Sequence, residues 1–144
     1  MIESAILIGD FNSHPAFVQK IADAAKSLHL FQNVDQFLKS GPLSSEMILV
    51  SQQWSDEYTA ADVSALLAAC PLARIIVCQQ EWCASDGRTR RLWPPAVCSP
   101  IGHWELRLEA ELDVISGRRP PLPLTAGLEE IFAFDHAPRV TAQS

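Results

Sequence analysis

The sequence has no apolar run close to the roughly 20 residues that a membrane-spanning helix requires. Its start, Met1 to Ser4, carries no basic residue, and the apolar stretch 5–9 is too short for the core of a signal peptide. The chain also contains no CxxC pair; its cysteines are Cys70, Cys78, Cys83 and Cys98. From these absences we expect a cytoplasmic protein with no membrane partner and with reduced, mostly structural thiols.

Basic residues are scarce as well, with 11 Lys and Arg against 17 Asp and Glu and a formal net charge of −6 at pH 7. Binding to nucleic acid relies on Lys and Arg contacts to phosphates, so this composition argues against direct nucleic-acid contact. The sequence has no Gly-x-Ser-x-Gly elbow, Gly-x-Gly-x-x-Gly loop or P-loop, and its Cys and His spacings match no zinc pattern. We therefore predict no catalytic residue, no metal and no cofactor.

What the sequence does contain is a repeated alternation of short apolar runs and amphipathic segments. Strands are predicted at 4–9, 30–33, 47–51, 74–78 and 95–99, since most of these runs are continuously apolar, as in strands buried on both faces. Helices are predicted from a cap at Asn12 or Ser13 to about residue 30, and at 34–40, 59–70 and 103–116. This alternation over 144 residues predicts one α/β domain with a doubly wound parallel sheet.

Two segments break the alternation. Segment 81–94 contains Gly87, nearby prolines and little periodicity, so we expect a loop or at most one helical turn between the fourth and fifth strands. Beyond Gly117 a proline-rich linker leads to a short amphipathic helix at 125–134. The predicted organisation is therefore an α/β domain at 1–117 and a linker and tail at 118–144. The tail helix either folds back on its own domain or docks on another copy.

The strand pattern, the run Ile6-Leu-Ile-Gly-Asp-Phe11 and the run Val97-Cys-Ser-Pro-Ile101 together resemble the receiver domain of two-component response regulators. The resemblance extends from about residue 4 to residue 116. It implies a flavodoxin-like fold with strand order 2-1-3-4-5 and a phosphorylation site at the carboxyl ends of the strands. It also implies that partners recognise the surface around the last strand and the helices beside it.

The positions that carry phosphoryl chemistry in that family are altered here. The first acid of an acidic pair is a glycine, the phosphoacceptor aspartate is a glutamine or serine, and the lysine is a serine, while the second acid and a proline remain. A glutamine forms no acyl phosphate, and one carboxylate is a poor Mg²⁺ site. The resemblance therefore predicts a degenerate phosphorylation site and a pseudo-receiver that is not phosphorylated. In chain order this site is Gly9, Asp10, Gln52 (or Ser51), Cys78 (or Gln79), Ser99 and Pro100.

The predicted function is a non-catalytic signalling or regulatory module that acts through contacts with a protein partner or a second copy. Trp and Arg are over-represented at binding hot spots, and the irregular segment 81–94 concentrates both. The candidate contact residues are Trp82, Arg88, Arg90, Arg91 and Trp93. The alternative is that the two indoles anchor this segment to the domain while the arginines stay solvated.

A second hypothesis is a small-molecule-binding or enzymatic flavodoxin-like domain. Its pocket would lie at the carboxyl ends of the strands, where ligands bind in open α/β sheets. The residues expected around it are Asp10, Ser13, Gln52, Gln79 and Ser99, with Gln53 and Gln80 as further amides. Asp10 is either a remnant ligand contact or a turn aspartate, and the amides either bind a ligand or replace a lost acidic site. The hypotheses differ over whether these strand ends are open or are plugged by side chains such as Phe11 and Trp54.

Overall fold

The computed structural model describes residues 2–40, 45–52, 58–70, 73–80, 97–100, 102–123, 126 and 128–136. Its strands form one parallel sheet in the order β2-β1-β3-β4-β5, which confirms the predicted order. The strands are β1 (Ile2–Ile8), β2 (Ala25–Phe31), β3 (Met47–Gln52), β4 (Arg74–Gln79) and β5 (Cys98–Pro100). The described helices are α1 (Pro15–Ala24), α2 (Val34–Lys39), α3 (Ala60–Ala69), α4 (Trp104–Ile115) and α5 (Leu128–His136).

The central strands are apolar because both faces of the sheet are covered. Every residue of β3 is buried, and so are the four middle residues of β4. One face packs against α1 and α4, through Phe17, Ile21, Trp104 and Leu108. The other face packs against α2 and α3. Helices on both faces confirm the doubly wound arrangement, and each fully buried aliphatic side chain stabilises it by about 1.5–3 kcal/mol.

The boundary between α1 and β2 differs from the prediction. The helix was expected to continue to about residue 30, but it ends at Ala24 and β2 begins at once with Ala25. Leu28 fits the helical spacing, yet it also fits the strand, where it pairs with Ala5 of β1. As a strand, residues 25–31 form backbone hydrogen bonds with β1, which they could not form as part of a longer helix. The strand is therefore favoured at these positions. The expected cap is also wrong, because His14 holds the N-cap position and makes no side-chain capping bond.

The next two helices, α2 and α3, lie where the sequence predicts them, and each follows a capping residue. Asn33 caps α2 by accepting a hydrogen bond from the backbone N–H of Gln36. Thr59 and Asp62 form a capping box at the start of α3, in which each side chain accepts from the other residue's backbone N–H. Such caps satisfy backbone donors that a helix start otherwise leaves free, and a cap typically contributes about 1 kcal/mol.

The tail folds back on the domain. α5 packs on the outer side of α4, and a small apolar cluster joins Ala110 of α4 to Leu122, Ala126 and Phe134. The tail helix starts and ends a few residues later than the expected 125–134. None of the described helices is long and apolar enough to cross a membrane.

Candidate functional site

The end of β1 is shaped by a glycine in a left-handed conformation. Gly9 has a φ of +98°, which side-chain-bearing residues rarely adopt. A Cβ at this position would lie 3.0 Å from both the carbonyl oxygen of Ser51 and the hydroxyl oxygen of Tyr58. The resemblance to receiver domains implies an acid at position 9. In this chain the left-handed backbone and the two close oxygens favour glycine there.

Asp10 follows as a turn residue. Its Oδ1 accepts a hydrogen bond from the backbone N–H of Asn12 at 2.8 Å, and the side chain is otherwise exposed. This is an Asx turn, which re-directs the chain towards α1 without help from a ligand. The turn is completed by the N–H of His14, which donates to the carbonyl of Phe11 at 2.9 Å. The local geometry fits the interpretation of Asp10 as a turn aspartate.

A neutral hydrogen-bond network joins the ends of β1, β3 and β4. The hydroxyl of Ser51 donates to the carbonyl oxygen of Asp10 at 2.7 Å. The amide of Gln80 donates to Ser51 Oγ at 2.7 Å and to the same carbonyl at 3.2 Å. Tyr58, which is buried, donates its hydroxyl to the Ser51 carbonyl at 2.8 Å. We call Asp10, Ser51, Tyr58 and Gln80 the strand-end network.

Gln52 ends β3, at the position where the resemblance places a phosphoacceptor. Only 4% of it is exposed, and its Oε1 accepts from the amide of Gln79 on the neighbouring strand at 3.5 Å. Its backbone carbonyl accepts from the N–H of Gln80 at 2.9 Å. The two adjacent strand ends are thus tied together by amides, and neither offers a carboxylate nucleophile.

Ser99 of β5 and Cys78 of β4 are paired in the register of these parallel strands, and both are completely buried. The carbonyl of Ser99 accepts from the indole N–H of Trp104 at 3.1 Å. Within the described residues, Ser99 Oγ is the buried side-chain polar atom that has no hydrogen-bond partner. Burial raises the pKa of the Cys78 thiol well above its ordinary value, and the charge of Arg107 offsets only part of that rise. Cys78 is therefore a protonated, unreactive thiol at neutral pH.

Phe11 fills the space above β1 on the α1 side. Its ring is buried and lies 6.3 Å from the ring of Trp104 and 6.4 Å from that of Phe17, measured between centroids. The buried ring of Phe11 therefore favours the alternative in which the strand ends are plugged by side chains over the one in which they are open. Trp54, the other expected plug, lies outside the described residues, as do Gln53 and Cys83.

Open space is found beside the plugged edge. A groove of about 580 Å³ lies between α1 and the carboxyl ends of β1 and β2. We call it the α1–β2 groove. Among the residues that line it are Leu7, Gly9, Phe11, Val18, Leu30 and Phe31, with several side-chain amides at its rim.

The structure brings most of the predicted phosphorylation-site positions together at one edge of the sheet. Gly9, Asp10, Gln52, Cys78 and Ser99 lie at the ends of β1, β3, β4 and β5, although Cys78 and Ser99 are sealed beneath α4. Pro100 ends β5. The predicted contact residues Trp82, Arg88, Arg90, Arg91 and Trp93 lie outside the described residues, and so does the expected loop 81–94.

Two features of this region were not predicted from the sequence. Tyr58 was not singled out, since nothing in its local pattern shows that its hydroxyl reaches Ser51. The buried charges of α4, Arg107, Glu111 and Asp113, were also missed. A possible signal was present, because charges within an otherwise apolar helix require partners. Those partners come from distant segments.

The chemistry available at this edge is hydrogen bonding, mostly between neutral groups, with the exposed carboxylate of Asp10 beside them. Within the described ranges, no three His, Cys, Asp or Glu side chains come together in a way that would hold a metal ion. A scan against protein-family models found no match to this sequence, and searches of curated proteins and of solved structures likewise returned no significant similarity. The interpretation of the site therefore depends on its geometry.

Proposed function

We propose that this chain is a receiver-like, flavodoxin-like module that is not phosphorylated and that regulates other proteins by direct contact. The supporting observation is the strand-end network. Ser51 and Gln80 converge on the backbone carbonyl of Asp10, at the edge of the sheet where a phosphorylatable receiver would hold its acids. In this chain that edge is closed by neutral side chains.

Phosphoryl transfer to a carboxylate requires a nucleophilic carboxylate and cations that balance the developing charge. At the phosphoacceptor position Gln52 is an amide held by Gln79, and at the lysine position Ser99 is buried and uncharged. The remaining acid, Asp10, accepts a backbone hydrogen bond in its own turn. With these groups, we infer that this edge adopts one conformation, and that it does not switch between two conformations on phosphorylation.

The packing of the tail narrows the surface available to partners. The resemblance implies recognition near the last strand and the adjacent helices, but the outer side of α4 is covered by α5. Arg107 and Ala110, on that side, are buried. The proposal therefore places partner contacts on segment 81–94, through Trp82, Arg88, Arg90, Arg91 and Trp93.

The small-molecule alternative required a pocket around Gln52, Gln79 and Ser99. Gln52 is 4% exposed and Ser99 is 0% exposed, so a ligand at that position would have to displace packed side chains. We therefore do not propose an enzymatic function at the position of these three residues.

The absence of phosphorylation is tested with small phosphodonors. Incubation with acetyl phosphate and Mg²⁺ is expected to leave the intact mass unchanged, and beryllium fluoride is expected to leave the backbone NMR spectrum unchanged. A phosphorylatable receiver treated in parallel serves as the positive control. Stoichiometric labelling of this chain would overturn the proposal.

The role in protein contact is tested by affinity capture from the native host with quantitative mass spectrometry. The wild type is compared with a variant in which the five contact residues of segment 81–94 are replaced by alanine. Arg118→Ala, which removes an exposed arginine elsewhere, is the control. We expect the partner to be lost from the fivefold variant and kept by the control. Recovery of the same proteins by all three chains would show that the assignment is wrong.

A further inference from the structure

The α1–β2 groove has a size and position suited to a small ligand. Its volume of about 580 Å³ falls within the range of about 300–1,000 Å³ that is typical of small-molecule sites. It opens at the carboxyl ends of β1 and β2, beside the first turns of α1. Gly9 and Phe11, which lie beside the strand-end network, form one side of it and do not fill it.

Most of the residues that line the groove are apolar. Leu7 and Leu30, which pair in register on β1 and β2, contribute to it together with Val18 of α1. Leu30 is 70% exposed, the highest value among the large apolar side chains in the described part of the chain. An apolar body resting on Leu30 would remove this surface from water, which favours binding.

The rim of the groove is made of side-chain amides: Asn12, Gln19, Gln32 and Gln36. The Oε1 of Gln36 accepts from the backbone N–H of Gln32 at 2.6 Å, so the Gln36 NH₂ group remains as a donor. The NH₂ group of Gln19 donates to Asp23 at 2.9 Å, so the Gln19 carbonyl remains as an acceptor. The rim therefore offers both donors and acceptors, as a primary amide or a lactam on a ligand would require.

Charge is missing from this lining. None of the residues that line the groove is Asp, Glu, Lys or Arg, and the nearby Asp23 carboxylate is engaged by Gln19. A phosphate, carboxylate or ammonium group would lose water here without gaining an opposite charge, which is costly. From the apolar lining residues, the side-chain amides and the lack of charge together, we propose that the α1–β2 groove binds a small uncharged molecule that has an apolar body and an amide or lactam group.

The proposal is tested with two probes of nearly equal shape. Nicotinamide carries a primary amide on an uncharged aromatic ring, and nicotinate carries a carboxylate in the same place. In protein-observed NMR titrations of the full chain, we expect saturable binding of nicotinamide, with chemical-shift changes at residues of the groove. We expect nicotinate to bind at least about tenfold more weakly, which corresponds to about 1.4 kcal/mol.

Two variants locate the site. Leu30→Asp is expected to weaken nicotinamide binding at least about tenfold, since it removes apolar contact and adds an uncompensated charge. Leu106→Asp changes another exposed leucine, 40% exposed and outside the groove, and is expected to leave binding unchanged. Circular dichroism checks that both variants fold. Gln32→Glu, at an exposed rim position, replaces Leu30→Asp if the latter is unfolded.

Three results would overturn the proposal. The first is equal affinity for the amide and the carboxylate, and the second is equal loss of binding in Leu30→Asp and Leu106→Asp. The third is no saturable binding of nicotinamide. If light scattering then shows a dimer that Leu30→Asp converts to a monomer, the groove would be assigned to contact with a second copy of the chain. The test is independent of phosphorylation and of the contact residues in segment 81–94.

Discussion

Gly9 is a single residue on which the shape of the strand-end network depends. Its positive φ turns the chain so that the Asp10 carbonyl meets Ser51 and Gln80, and the missing side chain leaves room for Tyr58. Glycine at this position is therefore tied to the backbone geometry and to the close approach of β3. An acidic side chain could not be introduced here by a single substitution without strain.

We expect Gly9→Ala to destabilise the fold more than Gly117→Ala. Both glycines have positive φ, and such strain costs about 1–3 kcal/mol for other residues. A Cβ at Gly9 would also meet two oxygens at 3.0 Å, whereas no described atom lies within 4 Å of a Cβ at Gly117. Urea denaturation measures both free energies of unfolding. Equal losses in the two variants would show that the close approach at Gly9 is unimportant.

We expect the thiol of Cys78 to make the stability of the fold depend on pH in the alkaline range. Burial raises the pKa of its thiol well above the ordinary value, so the folded chain retains a proton that the unfolded chain releases above about pH 8.5. The contribution of Cys78 to stability is complete below that pH and is lost as the pH rises further. We expect the urea midpoint of the wild type to fall more steeply between about pH 8 and 10 than that of Cys78→Ala.

Cys70 is the matched control for this effect. Burial raises the pKa of its thiol as well, but Cys70 is only half-buried at the end of α3. Cys70→Ala should therefore keep most of the steep alkaline fall. If Cys78→Ala falls as steeply as the wild type, the thiol of Cys78 does not contribute to the pH dependence.

At the scale of elements, α4 is held by ion pairs as well as by apolar packing. Arg107 pairs with Asp135 of α5, Glu111 with Arg74 of β4, and Asp113 with Arg119 in the linker before α5. The Arg107 guanidinium also lies 5.6 Å from the centre of the Phe134 ring. These pairs orient α4 between the sheet and the tail.

We expect Asp135→Asn to cost about 3–5 kcal/mol of unfolding free energy, because it removes the carboxylate that pairs with the buried Arg107 guanidinium. The control is Asp35→Asn, whose partner Lys39 is exposed, so its cost should stay below about 1 kcal/mol. The double variant Arg107→Met/Asp135→Leu removes both charges and should recover most of the loss. No recovery in the double variant would show that packing rather than charge accounts for the cost.

Elements differ in how far the sequence predicts them. β1, β3 and β4 are predicted well, because strands covered on both faces are apolar at nearly every position. The start of β2 is not, because Leu28 suits a helix and a strand equally and only the pairing with β1 decides between them. In the candidate site, sequence locates the strand ends and their amides, since parallel strands bring their carboxyl ends to one edge. The hydrogen bonds of Ser51, Tyr58 and Gln80 depend on three-dimensional distances and on the φ of Gly9, which no local pattern reveals.

At the scale of the whole molecule, the tail completes the packing of the α/β unit. Leu122, Ala126 and Phe134 share an apolar cluster with Ala110. Arg119 donates to the carbonyl of Phe134 at 2.6 Å as well as pairing with Asp113. The segment that follows Gly117 was expected to be a linker with a short helix, and its described part contributes both apolar contacts and counter-charges to α4.

We expect a chain that ends at Gly117 to be less stable than the full chain by at least about 3 kcal/mol. Truncation removes the Asp135 carboxylate from the buried Arg107 and the Arg119 guanidinium from the buried Asp113, and removing one member of a buried ion pair is strongly destabilising. Urea denaturation measures the loss, and light scattering on both chains shows whether the tail also affects association. An unchanged urea midpoint together with the loss of a dimer would contradict this prediction. It would show that the tail serves contact between copies, because the domain would then be stable without it.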